Sequence, residues 1–353
     1  MPQRKRKTTA PGAFGRKYSG PFEDIVYHRW QRLTVATSEH TQTFPIAPFT
    51  YKMIMGDDFY RFTDAYFARF PNVVMLKTRV EDIHTSADRA TVVTPAGTFH
   101  ASWCMNSIPP KIDKTGVNYL DQHFRGWFIE TDKPYFDPDT AVLMDFRTPQ
   151  HGEVRFLYVL PDSATTALVE VAIFSNHHLQ PEAYDQIITD YLQAHYPQLP
   201  SYRIQRMEQG NIPMTDYRFP PRDGRIIYIG MAGGHTRAST GYTFLYIHRR
   251  LRQLVNSLER HGHPYDTGDT RLLRHRLYDS TLLHVLAQGR YPGDALFGRL
   301  FRRNPPARLL SFLNGTTSLW EELRVMQTAP IGIFARAFAS EVVKRLVRKS
   351  VKQ

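Results

Sequence analysis

Two stretches of the chain carry residue types that can do chemistry. The first is Ala167-Leu-Val-Glu-Val-Ala-Ile-Phe174, where one carboxylic acid, Glu170, sits inside an apolar run. Burial disfavours the charged form of a carboxyl, so an acid enclosed there keeps its proton near neutral pH and can hand it to a substrate. The other reading of Glu170 is a solvent-facing residue on a strand with one wet side. The second stretch is Gly230-Met-Ala-Gly-Gly-His-Thr-Arg-Ala-Ser-Thr-Gly-Tyr-Thr-Phe244, entered from the apolar Arg225-Ile-Ile-Tyr-Ile229 and leading into a helical pattern. Small residues at such a junction let backbone amides approach a ligand, and the helix N-terminus favours an anionic or polarised group. Gly230, Ala232, Gly233, Gly234, Thr236, Ser239, Thr240 and Gly241 are the candidates for that approach. Tight strand-to-helix packing is the alternative. His235 either bonds the ligand or points to solvent.

Other side chains are less specific. Asp145 and Arg147, in Met144-Asp-Phe-Arg147, either shape a pocket or form a structural ion pair. Trp127, Phe128, Tyr135, Phe136, Phe156 and Tyr158 are core residues by default, but any that line a cavity offer negative ring faces to a cation. Trp127, Asp145, Arg147 and Tyr158 are expected to line the substrate pocket. His177 and His178 have no third ligand at metal spacing, so they mark a turn and no metal site is expected. Cys104 is the sole cysteine. It can build neither a disulfide nor a thiolate metal site, and a reducing, cytoplasmic compartment is expected.

These residues need elements to hold them. Strand patterns run over Ile25-Val26-Tyr27, Leu33 to Val35, Val73 to Leu76, Ala90 to Val93 and Ser102 to Asn106, with an amphipathic helix over Asp57 to Phe70. Gly126 to Ile129, Ala141 to Phe146, Arg155 to Leu160 and Thr166 to Phe174 alternate with turn signals, which predicts an antiparallel sheet. Pro181 suits the first turn of a helix reaching His195. Arg222-Asp-Gly224 turns the chain into the strand before the glycine-rich loop, and helical periodicity dominates from Thr240. The opening Met1 to Lys17 is basic, lacks a hydrophobic period and is expected to be disordered.

The chain has 353 residues, 42% of them hydrophobic, enough for one large or two modest domains with a real core. Its formal charge of +12 attracts either nucleic acid or anionic lipid. No zinc finger or RNP pattern accompanies the basic residues, so nucleic acid is not an expected partner. Ile333-Phe334, Ala337-Phe338, Val342-Val343 and Leu346-Val347 alternate with Arg336, Lys344, Arg345, Arg348 and Lys349. That pattern is a basic amphipathic helix, suited to lying on a bilayer or packing on its own domain. No run of about 18 apolar residues is present. A peripheral position on the inner membrane face is expected.

The loop pattern G-x-A-G-G-x-T-[KR]-[AP]-[ST]-[ST]-G-Y-x-F resembles the C-terminal flavin-binding signature of the lycopene cyclase family. Gly20-Pro-Phe-Glu-Asp24, Tyr51-Lys-Met-Ile54, Gln122-His-Phe-Arg-Gly-Trp127, Met144-Asp-Phe-Arg147, Tyr158-Val-Leu-Pro161, Leu168-Val-Glu170, Ile212-Pro-Met-Thr215 and Tyr278-Asp-Ser280 follow the family order. The resemblance covers roughly Gly20 to Pro330 and implies a mixed α/β flavoprotein hydroxylase-like fold. It would have an incomplete dinucleotide-binding half, an antiparallel substrate sheet and a helical C-terminal region. The family opens with a strand, a G-x-G-x-x-G turn and a helix for the FAD pyrophosphate. Gly12, Gly15 and Gly20 lack that spacing, so the chain is expected to be N-terminally truncated, its first residues an out-of-frame translation. The expected divisions are an arm over 1–19, a remnant FAD-binding part over 20–121 and a substrate-binding sheet and helix over 122–200. A flavin-binding strand, loop and helix over 201–262 and a helical region over 263–353 complete them.

The resemblance also implies an activity: acid-initiated cyclisation of the ends of lycopene, or of a related linear carotenoid, to β-ionone rings. Reduced FAD, kept so by NAD(P)H, would assist without net redox, and other carotenoid-pathway enzymes are possible partners. Glu170 would supply the proton. The family element corresponding to Glu170 carries Phe-Leu-Glu-Glu-Thr or Val-Glu-Tyr-Thr. Here Val171 follows, so a paired-carboxylate mechanism is not expected. Two alternatives stay open: a flavin-dependent isoprenoid reductase or hydroxylase, and an inactive remnant that binds carotenoid or membrane.

Overall fold

Apolar runs punctuated by turn residues fill the first two thirds of the chain, and nearly all become strands. The computed structural model describes residues 12–17, 19–265 and 273–350. The chain begins with β1 (Gly12–Arg16), β2 (His28–Trp30), β3 (Arg32–Ala36), β4 (Thr41–Pro45), β5 (Thr50–Ile54) and α1 (Gly56–Phe67). Next come β6 (Asp82–Thr85), β7 (Ala90–Thr94), β8 (Gly97–Ala101) and β9 (Cys104–Asn106). Long strands follow: β10 (Tyr119–Thr131), β11 (Thr140–Asp145), β12 (Val154–Pro161) and β13 (Thr166–Ser175). After α2 (Pro181–His195) come β14 (Tyr202–Thr215), β15 (Arg222–Asp223) and β16 (Ile226–Tyr228). The rest is helical: α3 (Phe244–His261), α4 (Leu273–Ala287), α5 (Gly293–Arg303), α6 (Pro306–Leu313), α7 (Leu319–Met326) and α8 (Ile331–Ser350).

Three expectations change. Residues 12–16 of the supposed disordered arm form β1, which runs antiparallel to β5 from Gly12 opposite Ile54 to Arg16 opposite Thr50. Phe14 anchors it, buried and stacked on Phe244 at 4.8 Å. Met1 to Pro11 lie outside the described residues. Val73 to Leu76 form no strand, because no ladder partner meets them and Val74, Met75 and Leu76 stay exposed. Strand β14 was not foreseen, and it is one of the two longest strands. The strand expected over Ile25-Val26-Tyr27 is not formed: Ile25 ends a 3₁₀ turn from Glu23, and Val26 and Tyr27 lead without strand pairing into β2.

The sheet that matters has seven strands in the order β14-β10-β13-β12-β11-β3-β4. Side chains alternate between its two faces, so each face has its own core. On one face Trp127, Ile129, Leu157, Val159, Val169, Val171 and Ile173 pack under α2. That helix presents Tyr184, Ile188, Tyr191 and Leu192, spaced i, i+4, i+7 and i+8, as one apolar stripe. Each such side chain contributes roughly 1.5–3 kcal/mol when fully buried. On the other face Phe156, Leu160, Leu168, Ala172 and Phe174 meet residues from the C-terminal helices, among them Leu283, Leu296, Phe301 and Leu309.

Close approach of α5 to the sheet depends on glycine. An added Cβ at Gly293 would collide with the Val154 side chain, and one at Gly298 would lie 2.6 Å from Thr37 Cγ2. Gly332 in α8 has nothing within 4 Å of an added Cβ. Gly293→Ala is therefore expected to destabilise the protein by about 1–3 kcal/mol through overpacking. Gly332→Ala is expected to be neutral or slightly stabilising, from helix propensity. Thermal melts of the two variants check this, and equal shifts in melting temperature would refute it.

Candidate functional site

Strand register places four residues in one row across the sheet. Tyr158 on β12 lies opposite Glu170 on β13, Glu170 opposite Gly126 on β10, and Gly126 opposite Glu208 on β14. All four therefore share the face covered by the C-terminal helices. A side chain at Gly126 would separate the two acids: its Cβ would stand 3.1 Å from Glu170 Cβ, 3.3 Å from Glu170 Oε2 and 2.9 Å from Leu168 Cδ1. With glycine there, the carboxyls of Glu170 and Glu208 are neighbours across β10 and act on each other electrostatically. Two ionised carboxylates have only acceptors, so the two can share a hydrogen bond only if one of them carries a proton. Glu208 is 5% exposed, and neither of its oxygens meets an N–H donor or a hydroxyl among the described residues.

Electrostatics assigns the proton. Burial pushes the Glu170 carboxyl well above the usual glutamate range, and the charge and hydrogen bond of Glu208 push it further. Glu170 as a residue is only half-buried, yet protein packs round it densely enough that desolvation remains the first cause. Glu208 is pushed up to about 7, again by burial, with the hydrogen bond from Glu170 and the Arg206 charge pulling the other way. The pair titrates as a unit, both carboxyls being held above the usual glutamate range by burial. The second carboxylate comes from β14 and not from the position after Glu170. The expectation that no carboxylate pair forms is thereby corrected.

Next to this row is an apolar cavity of about 70 Å³ lined by Phe156, Tyr158 and Phe174 of the sheet, Ser239, Thr240 and Tyr242 of the glycine-rich loop, and residues of α4 to α6. Burial raises the phenol of Tyr242 to about 12 and those of Tyr51 and Tyr158 well above their ordinary value, so all three stay neutral. Ser239, Leu282, Leu300 and Phe312 also line a second chamber of about 240 Å³ that extends towards α8. No cluster able to hold a metal ion occurs among the described residues.

The glycine-rich loop leaves the carboxyl end of a parallel pair, β9 and β16, and runs into α3. Ligands of α/β folds bind at such carboxyl ends. Gly234 and Gly241 adopt φ of +67° and +69°, which suits glycine, and a Cβ at Gly241 would strike the Gln122 amide. Of the eight predicted loop residues, Ala232, Gly234, Ser239 and Gly241 are buried and Gly230, Gly233, Thr236 and Thr240 are half-buried. Between them Arg237 is enclosed, its Nε donating to Asp279 at 3.1 Å and its Nη1 to the carbonyls of Phe312 and Leu313. Ser239 donates to the same Asp279 oxygen at 2.6 Å. His235 is buried, which excludes the solvent-facing alternative. Beside the loop, buried Gln122 Oε1 meets no donor among the described residues. A planar ring with N–H edges would satisfy it, so these residues fit the ring-bearing half of a flavin.

The remaining predicted pocket residues fall on the wrong side of the sheet. Trp127 packs under α2, its Nε1 donating to Asp185 at 2.7 Å. Asp145 is buried on that same side, accepting from Tyr191 at 2.8 Å and from Arg147. Trp127, Asp145 and Arg147 are therefore structural there, and of the four only Tyr158 shares the acid's face. His178 bonds Asp121 at 3.1 Å.

Comparison with known proteins supports this architecture. A family model described as "Lycopene cyclase protein" matches residues 10–338. No curated protein sequence matches. Among solved structures, a geranylgeranyl bacteriochlorophyll reductase-like protein from Thermoplasma acidophilum is similar at a TM-score of 0.63 and 12% identity, over 89% of this chain and 83% of that one. A flavoprotein/dehydrogenase from Cytophaga hutchinsonii gives 0.58 and 11% over 89% and 83%. Klebsiella pneumoniae HpxO, complexed with FAD and uric acid, gives 0.53 and 13% over 96% and 88%. The fold is that of the FAD-binding hydroxylase-like flavoproteins. The expectation of a cyclisation without net redox is corrected by these likenesses, which carry the names of a reductase, a dehydrogenase and a flavin complex.

The acid pair has a measurable signature. A carboxyl whose folded pKa is raised is stable in its neutral form, so the folded state loses stability as pH rises from the unfolded value through the folded one. For Glu208, raised to about 7, the loss between about pH 4.5 and pH 8 is on the order of 3 kcal/mol. Glu208→Gln should flatten that decline in denaturant titrations across the window. Parallel parent and variant curves would remove the pair from the account.

Proposed function

The chain belongs to the lycopene cyclase family, and from that premise we propose that it is a flavin-dependent reductase acting on a double bond of an isoprenoid chain at a membrane surface. The observation that carries the reading is the proton-holding Glu170–Glu208 pair, placed in register with a tyrosine that lines an apolar cavity. Saturating a carbon–carbon double bond needs a hydride at one carbon and a proton at the other. An alkene is a poor base, so the proton must come from an acid that stays neutral in an apolar setting. Glu170 releases that proton, and Glu208 shares the resulting negative charge until solvent returns a proton to the pair. Phe156, Phe174, Tyr158 and Tyr242 exclude water and keep their neutral rings along the substrate.

Loop residues Gly230 to Gly241, with Gln122, would hold the ring of the cofactor, and Arg237 bound to Asp279 fixes the loop against α4. Held by these residues, a flavin reduced by NAD(P)H would supply the hydride equivalent. The likeness to a protein named as a geranylgeranyl bacteriochlorophyll reductase-like structure supports an isoprenoid substrate.

Purified protein given FAD, NADPH and a detergent-solubilised polyprenyl substrate should consume NADPH in proportion to a product that has gained two hydrogens. Glu170→Gln should lower turnover by at least ~10², the share that positioned acid catalysis supplies, while Glu170→Asp keeps part of it. Parental turnover should fall as pH climbs past about 7, where Glu208 ionises. NADPH consumption without a reduced product, or parental turnover by Glu170→Gln, would sink the proposal.

A further inference from the structure

The larger chamber has a feature that the chemistry at Glu170 does not require. Its walls are almost wholly apolar: Leu282, Leu296, Leu300, Phe312, Val325 and Phe334 are among them. Two further lining residues, Ile331 and Phe338, are at the same time 64% and 37% exposed. They are seven residues apart on α8, hence stacked on one side of the helix. The chamber therefore opens to the outside through a greasy rim.

We infer that the start of α8 is a portal seated on an anionic bilayer, through which the reacting end of a membrane-dissolved isoprenoid enters the chamber. This rests on the reductase reading for its cargo. Size argues for delivery from lipid. At about 240 and 70 Å³, each space is smaller than the roughly 300–1,000 Å³ of pockets that enclose a drug-sized ligand. A long polyisoprenoid can insert only one end and must leave the remainder in a solvent that tolerates it. The two spaces share Ser239, Leu282, Leu300 and Phe312 in their linings, so an inserted end lies next to the space that Tyr158 lines.

Charge argues for an anionic surface. Arg324 and Arg336 are exposed on either side of the turn into α8. The nearby acids are engaged: Glu321 in the cap of α7, Glu322 buried against Arg274 and His275, and Glu341 buried against His284 and Lys344. Val343 and Leu346 add exposed apolar surface further along α8. No helix among the described residues is long and apolar enough to cross a membrane, so α8 would lie on the surface with its rim in the acyl boundary.

The test uses vesicles of equal phosphatidylglycerol and phosphatidylcholine loaded with the polyprenyl substrate, and the same substrate in neutral detergent micelles. The double variant Arg324→Glu/Arg336→Glu should bind these vesicles at least ~10-fold more weakly than the parent, with turnover from vesicles falling in step and turnover from micelles unchanged. Independently, Ile331→Trp should show fluorescence quenched by brominated lipid beyond the parental signal. Unaltered vesicle binding by the double variant, or a tryptophan at that position indifferent to brominated lipid, would overturn the portal. Vesicle binding and quenching as expected, with no turnover from either source, would overturn the reductase reading and leave the docking surface standing.

Discussion

A hydrogen bond between two carboxyls is possible only while one of them is protonated, and the site is organised around that condition. Glu170 and Glu208 are on strands that do not touch. The strand between them, β10, must contribute no side chain where they meet, and Gly126 meets that requirement. Removing the glycine's vacancy would leave each acid alone, and a lone buried carboxyl resolves its desolvation simply by staying neutral. Pairing does something different: it keeps a proton in place while giving the charge left behind a neighbour that can share it. A donor that is both reluctant to ionise and able to recover from ionising is what acid chemistry on a hydrocarbon needs.

The two faces of the central sheet divide the work. Under α2 most polar groups are closed into local pairs, Arg125 and Trp127 on Asp185, Tyr191 and Arg147 on Asp145, while Nε2 of buried His123 meets no partner among the described residues. Buried polar groups satisfied in this way hold a core in one arrangement. On the opposite face the polar inventory is sparse and incomplete, with the acid pair and the Gln122 oxygen set among apolar residues. Arg237 joins the two parts of that face. By donating to Asp279 of α4 and to the last carbonyls of α6, it ties the glycine-rich loop to the helices that roof the chamber.

What the sequence revealed, and what it concealed, follows from period-two geometry. Glu170 stands out because its strand is apolar on both faces, so a single acid breaks the pattern. Glu208 does not, because its inward neighbours on β14 are Arg206 and Gly210, and the apolar inward residues Ile212 and Met214 come only near the end of the strand, too few to show a hydrophobic alternation. Trp127 was misplaced for a related reason. A strand pattern gives two faces without saying which one meets the ligand, and Gly126 and Trp127 are neighbours that point opposite ways. The small β1 was missed because a five-residue ladder held by Phe14 needs no periodic pattern, only a partner such as β5. Val73 to Leu76 show the reverse, a fine strand pattern with no edge to join. Helix α2, with its Pro181 start and its apolar stripe, was legible to the residue because its signal is entirely local.

The arrangement also explains how a strongly basic protein can carry two acids at its centre, Glu170 and Glu208, that no cation pairs with among the described residues. Elsewhere buried carboxylates are matched: Asp279 by Arg237, Glu322 by Arg274 and His275, Glu341 by His284 and Lys344. The pairings of Glu322 and Glu341 lower those carboxyls' tendency to take up a proton, despite the burial that opposes it. Glu170 has no such cation. Had Arg206 reached the pair as closely as Arg237 reaches Asp279, the proton would be lost and the site would become one more structural ion pair. Arg206 instead lies over the Phe128 ring at 3.9 Å, near enough to moderate Glu208 but not to discharge Glu170. The distinction between an acid that reacts and one that merely holds the fold together thus comes down to where a single guanidinium is stacked.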